Sequence, residues 1–331
     1  MMNITKHIKV PTGDILCAEG DRGDIEFLSV GDYGKAVNIK ADFLDLSYEP
    51  KPFKHTAMLP LTEKWVITIS TQHGCSMGCE FCDVPLVGKG TNVTLRDLQQ
   101  QILTSIDLHP EITWTQRLNV HFARMGEPTF NIDVLRCAEW LHAMYHRTHA
   151  PHPVVSTMMP KHNPDLYEFL NKWMRIKSHM YHGNAGLQLS INSTCQDERR
   201  KMFNGNEMSL IKIVALMNRC ERPKGRKITL NFAVAGYEID AKWLAALFDP
   251  EYYICKLTPM HKTIRAEKNN IRTGGDFTDY YPYRKHEEEL KAEGFDVLVF
   301  LASEAEDLGR ITCGNALLSG TMPAIDYEVV I

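Results

Sequence analysis

Three cysteines, Cys75, Cys79 and Cys82, stand four and then three residues apart in the stretch HGCSMGCEFCDVP, with Phe81 just before the last. Three thiolates on one short loop can hold three irons of a 4Fe-4S cluster and leave the fourth iron without a protein ligand. Zinc is the competing use of the same thiols, with His73 as the fourth donor. Zinc sites usually take paired C-x2-C units, and the four-then-three spacing favours the cluster.

The C-x3-C-x-aromatic-C spacing resembles that of radical S-adenosylmethionine enzymes. The resemblance implies that the amino and carboxylate groups of S-adenosylmethionine chelate the open iron. One electron then cleaves the sulfonium and yields a 5′-deoxyadenosyl radical. A flavodoxin or ferredoxin type of reductant would supply that electron. The cofactors carry the hard chemistry, and the chain supplies ligands, orientation and exclusion of water.

The surrounding elements must place this loop. WVITIS (65–70) reads as a β-branched strand that runs into it, and TLRDLQQQILTSIDL (94–108) as an amphipathic helix capped by Thr94. Strands at 117–123, 152–157, 187–192, 227–234 and 252–259 follow, separated by helical stretches, and FDVLVFL (295–301) is a last strand. The alternation predicts an α/β fold, a partial (βα)6 barrel of parallel strands. GDIEFLSV and GKAVNIKADFLDL predict a small β-rich N-terminal extension. The expected division is 1–62 for the extension, 63–301 for the barrel and 302–331 for a C-terminal loop and tail.

Function in such folds sits at the C-terminal ends of the strands. There the sequence offers Gly126 and Glu127 in RMGEPTFN, where the glycine permits close approach and the carboxylate suits the methionine ammonium. Ser156 and Thr157 follow the third strand, and Ser190, Asn192, Ser193 and Thr194 the fourth. Together they suit hydrogen bonds to a ribose and an adenine, although each alone reads as a cap or turn residue. His261 follows the sixth strand as a ligand-binding candidate. His142, His146, His149 and His152 read as a solvated helix end rather than a metal site. Arg199, Arg200 and Lys201, with Lys224, Arg226 and Lys227, offer a phosphate-binding face or simply a solvated one.

The chain has 331 residues, 44% hydrophobic and 24% charged, with a formal net charge of −4. That is an ordinary globular composition, and no global charge advertises nucleic acid. The N-terminus carries no long apolar run, so neither a signal peptide nor a membrane span is expected. Nine cysteines, an odd number of which three cluster, do not form a disulfide framework and point to a reducing cytoplasm.

From about Glu26 to Gly320 the motifs resemble, in order, those of the RlmN/Cfr-type radical S-adenosylmethionine RNA methyl synthases, which methylate carbon 2 or carbon 8 of an adenine. STQHGCSMGCEFCDVPLVGKGTNVT resembles the family's cluster loop, and MGEPTFN its GEP motif. VVSTMMP resembles an ST-containing strand end. LQLSINSTCQDERRKMFN resembles the SLHA segment, with Asn192 where the family has His, and CKLTPMH a segment ending in Asn, here His261. EDLGRITCGNAL resembles the late DIxAACGQL and places Cys313 on the cysteine that carries a methyl group. The resemblance implies that this cysteine is methylated by displacement and that a radical then takes a hydrogen from its S-methyl group. The resulting carbon radical adds to the substrate ring.

Three departures accompany it. Thr68 stands where the family has a second cysteine that resolves the crosslink, and Asn38 where it has a glutamate. About 25 residues precede the matching part, so the family's helical RNA-docking domain has no counterpart there. The leading expectation is a methyl synthase acting on an unsaturated, adenine-like carbon in RNA or a smaller molecule. The alternatives are a radical enzyme acting directly on substrate, with Cys313 structural, and an iron–sulfur module without turnover.

Overall fold

The computed structural model describes residues 2–47, 58–274, 280–312 and 314–331. Cys313 lies outside the described residues. In chain order the strands are β1 Asn3–Val10, β2 Gly13–Gly20, β3 Gly23–Val30, β4 Ile39–Lys40, β5 Trp65–Ile69, β6 Gln72–Gly74 and β7 Lys89–Asn92. They continue as β8 Leu118–Phe122, β9 Pro151–Thr157, β10 Gly186–Ser190, β11 Ile228–Val234, β12 Tyr253–Pro259, β13 Asp296–Phe300 and β14 Glu328–Val329.

Twelve of these form one sheet, ordered β14-β1-β2-β3-β5-β8-β9-β10-β11-β12-β13-β4. From β5 to β13 every neighbouring pair is parallel. The parallel run thus holds seven strands where six were expected. FDVLVFL, read as a last strand, is the seventh and pairs in parallel with β12. The N-terminal strands extend the same sheet. β1, β2 and β3 form an antiparallel meander that joins β5 through Leu28↔Thr68. Far away, β4 pairs with β13 and closes the opposite edge. The GKAVN stretch, expected within a strand, is a single helical turn over Lys35–Asn38. β1 and β2 were not foreseen: their apolar residues do not alternate cleanly, and pairing rather than local pattern fixes them.

Each parallel strand shows two unlike faces. On the outer face Trp65, Ile67, Ile69, Val120, Phe122, Leu187, Leu189, Leu230, Phe232, Cys255, Leu257 and Val299 are all buried beneath helices. The helices at Leu95–Asp107, Asp133–Tyr145, Leu166–Arg175 and Leu210–Met217 contribute the other half of this core. The first starts where predicted, because the Thr94 hydroxyl accepts the Asp97 N–H at 3.2 Å. On the inner face many of the alternate residues are polar and half-exposed, among them Thr68, His121, His152, Ser156, Gln188, Ser190, Asn231, Lys256 and Thr258. With a period of two, one strand register fixes both faces at once.

Candidate functional site

The cysteine loop leaves β5 and is held from several directions. β6 and β7 form a two-stranded hairpin around it. Gly74, at φ 72°, could not carry a side chain, since a Cβ there would lie 2.2 Å from the Gly88 carbonyl oxygen. Beyond Cys82, the buried Asp83 carboxylate accepts the Arg265 N–H at 2.9 Å and the Ile264 N–H at 3.3 Å. Thr263 donates to the Phe81 carbonyl at 2.8 Å, and Asn206 to the Met77 carbonyl at 2.9 Å.

The three cysteines share one apolar surrounding. Cys79 belongs to a small apolar cluster with Met77, Met202, Phe203, Tyr237 and Met260, and Cys75 and Cys82 pack against the same cluster. Burial pushes the Cys75 thiol up to about 11, opposed by the backbone N–H groups of Met77, Gly78 and Gly126, which point at its sulfur. Those donors suit a thiolate or a sulfide-rich group, and metal binding would remove the proton. His73 does not complete a zinc set here. Its Nδ1 bonds the Asp24 carbonyl at 3.1 Å, and its ring lies against Gly20 and Gly23 of the N-terminal meander. Among the described residues no three His, Cys, Asp or Glu side chains stand close enough to share one metal ion. A cubane makes a different demand, since each thiolate binds a different iron. Three cysteines on one small apolar cluster, with amides aimed at one of them, fit that demand.

Beside the loop lies the turn after β8. Gly126 has φ 94°, and a Cβ on it would stand 2.5 Å from Cβ of Gln72. The glycine is therefore required by close packing on the cluster hairpin, whatever else it serves. Glu127 is buried, and burial raises its carboxyl above the usual range. Its Oε1 accepts the Thr129 hydroxyl at 2.7 Å and the Thr129 N–H at 3.1 Å, and its Oε2 the Met158 N–H at 2.8 Å. This carboxylate thus ties the end of β8 to the end of β9.

Gln72 was not singled out in the sequence, yet it joins the two motifs. Its Oε1 accepts the N–H groups of Ser76 and Glu127, both at 3.1 Å. Its Nε2 donates to Ser76 Oγ and Asn92 Oδ1, both at 2.9 Å. The only local signal was its place three positions before Cys75.

The remaining candidates divide. Ser156 and Ser190 lie on the inner face at the ends of β9 and β10, half-buried. Asn192 adopts φ 61°, a conformation asparagine tolerates, and its Oδ1 accepts the Ala233 N–H at 3.2 Å. Its side chain is thus committed to β11. His261 bonds Asp307 Oδ1 through Nδ1 at 2.7 Å, and the same oxygen accepts the Thr312 hydroxyl at 3.2 Å. The strand-end histidine is joined in this way to the segment next to Cys313. On its other side, the Gly314 carbonyl accepts the Asp83 N–H at 2.9 Å, and a Cβ on Gly314 would lie 3.9 Å from the Cα of Cys82. Of the supposed phosphate-binding residues, Arg199 is fully buried and donates to the Ile191 and Met208 carbonyls, and Lys227 is paired with Asp296 at 2.7 Å. His142 and His146 stack at 4.8 Å on an exposed helix end. No helix among the described residues is long and apolar enough to cross a membrane.

No protein-family profile matches the chain. It is 29% identical over 206 residues to a probable dual-specificity RNA methyltransferase RlmN of Clostridium beijerinckii, covering 59% of this chain and 53% of that protein. A like-named protein of Clostridium perfringens is 29% identical over 182 residues, 53% of this chain and 47% of its own length. The chain thus spans about half the length of the curated relatives it matches. A radical SAM methyltransferase from Sphaerobacter thermophilus superimposes with a TM-score of 0.63 over 95% of this chain and 81% of that one, at 18% identity. This chain shares that protein's fold.

Proposed function

We propose that this chain is a radical S-adenosylmethionine enzyme of the methyl-synthase kind, which moves a methyl-derived carbon through Cys313 to an unsaturated carbon of RNA or a smaller molecule. The observation that carries the reading is the cysteine loop, whose three cysteines pack on one apolar cluster and which Gln72 joins to the Gly126–Glu127 turn. Likeness in sequence to RNA methyltransferases and in fold to a radical SAM methyltransferase supports it.

Cys75, Cys79 and Cys82 would hold the 4Fe-4S cluster, which with S-adenosylmethionine supplies one-electron chemistry. A flavodoxin or ferredoxin type of donor would reduce it. Glu127 and the Gly126 edge would receive the methionine end, and Ser156 and Ser190 the nucleoside. Asn192 and His261 would shape the same rim through Ala233 and Asp307. Apolar residues such as Met77, Phe203 and Met260 would limit the access of water to the thiols. Cys313 would act as the nucleophile, since displacement at a sulfonium methyl needs a thiolate.

Direct radical action on a substrate is the second reading, and Thr68 and Asn38 favour it, standing where the resembled family has its resolving cysteine and its glutamate. Anaerobic turnover with methyl-labelled S-adenosylmethionine separates the two. The first predicts label on the peptide containing Cys313, and loss of carbon transfer without loss of S-adenosylmethionine cleavage in Cys313→Ala. Wild-type product from Cys313→Ala would leave only the second.

A further inference from the structure

The cysteine loop has two unlike sides. One meets the Gly126–Glu127 turn, through the bonds of Gln72 to Ser76 and Glu127 and through the Gly126 N–H aimed at the Cys75 sulfur. Gly78 and Glu80 make the other. The Glu80 N–H donates to the Met202 carbonyl at 2.9 Å, and Asn269 Nδ2 donates to the Glu80 carbonyl at 2.9 Å. Arg265 Nη2 lies 3.3 Å from the Gly78 carbonyl and 3.4 Å from Glu80 Oε2. A Cβ on Gly78 would stand 3.5 Å from Asn204 Nδ2.

On this second side lies an open groove of about 530 Å³, lined by Glu80, Arg200, Lys201, Asn204, Gly205 and Asn269. Glu80 stands in sequence between Cys79 and Cys82, so one wall of the groove is the cysteine loop itself. Arg200, Lys201 and Asn204, on the opposite wall, are exposed. Each carboxylate around the groove has its own cation: Glu80 has Arg265, Asp197 has Arg200, Glu198 has Arg272 and Glu267 has Lys262. Exposed pairs of this kind contribute little and yield readily to a partner. Lys201, which donates to the Asn270 carbonyl at 3.4 Å, and the exposed Lys268 come in addition to these pairs. Among the described residues the rim is therefore net cationic, in a chain whose formal net charge is −4. Beyond Arg272 the chain turns back to the end of β12, where the Gly274 N–H donates to the Met260 carbonyl at 2.8 Å.

We infer that this groove is the docking site of an acidic one-electron carrier, a flavodoxin-type protein with carboxylates around its flavin, whose flavin edge rests against Glu80. The inference rests on the proposed radical chemistry, which needs an electron from outside the chain. The carrier's flavin gives up one electron and the cluster gains it; no bond forms or breaks. Electron transfer weakens steeply with distance, and the groove brings a partner to the residues between two of the three thiols. It does so without entering the Glu127 side, where S-adenosylmethionine would sit. An RNA backbone would also meet the cations, but its reacting base belongs on that other side. An open, polar groove suits a transient partner: weak redox encounters bury less than about 1,200 Å², and charge steers them.

The test uses the full chain, anaerobically reconstituted, with a purified flavodoxin as probe. Calorimetry reads binding, and 5′-deoxyadenosine formation is timed with reduced flavodoxin and, separately, with dithionite. Wild type should bind flavodoxin saturably, with an affinity that falls as salt rises. The double variant Arg200→Glu/Lys201→Glu should weaken binding and slow the flavodoxin-driven reaction by about tenfold or more at low salt. Its dithionite-driven rate should match wild type, because so small a reductant needs no docking face. Lys242→Glu, exposed on the helix Ala241–Leu247, should bind flavodoxin as wild type does. No saturable binding by wild type, or equal binding by the double variant, overturns the proposal. So does an equal loss with dithionite, which would make the two residues supports of the cysteine loop. Weakened binding of a single-stranded RNA, with flavodoxin binding unchanged, would assign the groove to nucleic acid instead. Absence of 5′-deoxyadenosine with dithionite would overturn the radical reading and this proposal with it. Product with dithionite and none with flavodoxin would overturn the docking proposal alone.

Discussion

Arg124 and Glu26 form a buried ion pair whose free arms hold both ends of the segment around Cys313. Arg124 Nε donates to Glu26 Oε1 at 2.8 Å. Its Nη2 donates to the Arg310 carbonyl at 3.0 Å, and the Leu318 N–H donates to Glu26 Oε2 at 3.0 Å. Both side chains are almost wholly removed from solvent. One pair thus joins β3, the turn after β8 and the C-terminal segment.

Breaking a buried pair leaves an uncompensated charge, at a cost of about 3–5 kcal/mol. Glu26→Gln and Arg124→Met should each show a loss of that order in urea unfolding. The double variant Glu26→Leu/Arg124→Met should lose less than the two single losses combined, because no charge remains stranded. Additive losses would show that the two side chains act independently.

Replacing Cys75, Cys79 and Cys82 together with alanine should abolish the brown chromophore of the anaerobically reconstituted protein. Iron and sulfide analysis gives the check. Four of each per chain in the triple variant would move the cluster elsewhere.

The Gln72 carboxamide fixes the distance between the cysteine loop and the Glu127 turn. Gln72→Ala leaves the buried N–H of Glu127 without its acceptor, at a cost of about 1–3 kcal/mol. It should also weaken S-adenosylmethionine binding to reconstituted protein while iron content holds. Gly126→Ala should be at least as damaging, since its Cβ would strike Gln72 at 2.5 Å on a backbone with φ 94°. Unchanged affinity in Gln72→Ala would remove it from the positioning role.

His121 makes the fold sensitive to acid. Its folded-state value near 3 lies below the ordinary histidine value of about 6.5. The unfolded chain therefore binds a proton that the folded chain refuses, so stability is full above about pH 6.5 and is lost as pH falls toward 3. Between pH 7 and 5 the wild type should lose about 1–2 kcal/mol more than His121→Asn, allowing for partial solvent screening. Parallel urea curves for the two proteins at both pH values check this, and an equal loss would mean that the imidazole is not desolvated.

Much was legible in the sequence because it is written locally. The cysteine spacing, the strand preceding it, the Thr94 cap and the alternation of strands with helices each depend on residues within a few positions of one another. The inward direction of Ser156 and Ser190 follows from the period of two once the strands are known. What only the tertiary structure decided depends on partners far apart in the chain. Gln72 meets Glu127, Glu26 meets Arg124 and Leu318, and Asn192 turns to Ala233 instead of outward. Arg199 and Arg226 look alike as basic residues in a sequence, yet one is buried and spent on two backbone carbonyls while the other is exposed. A charge's surroundings are set by sheet order and curvature, and neither is encoded in its immediate neighbours.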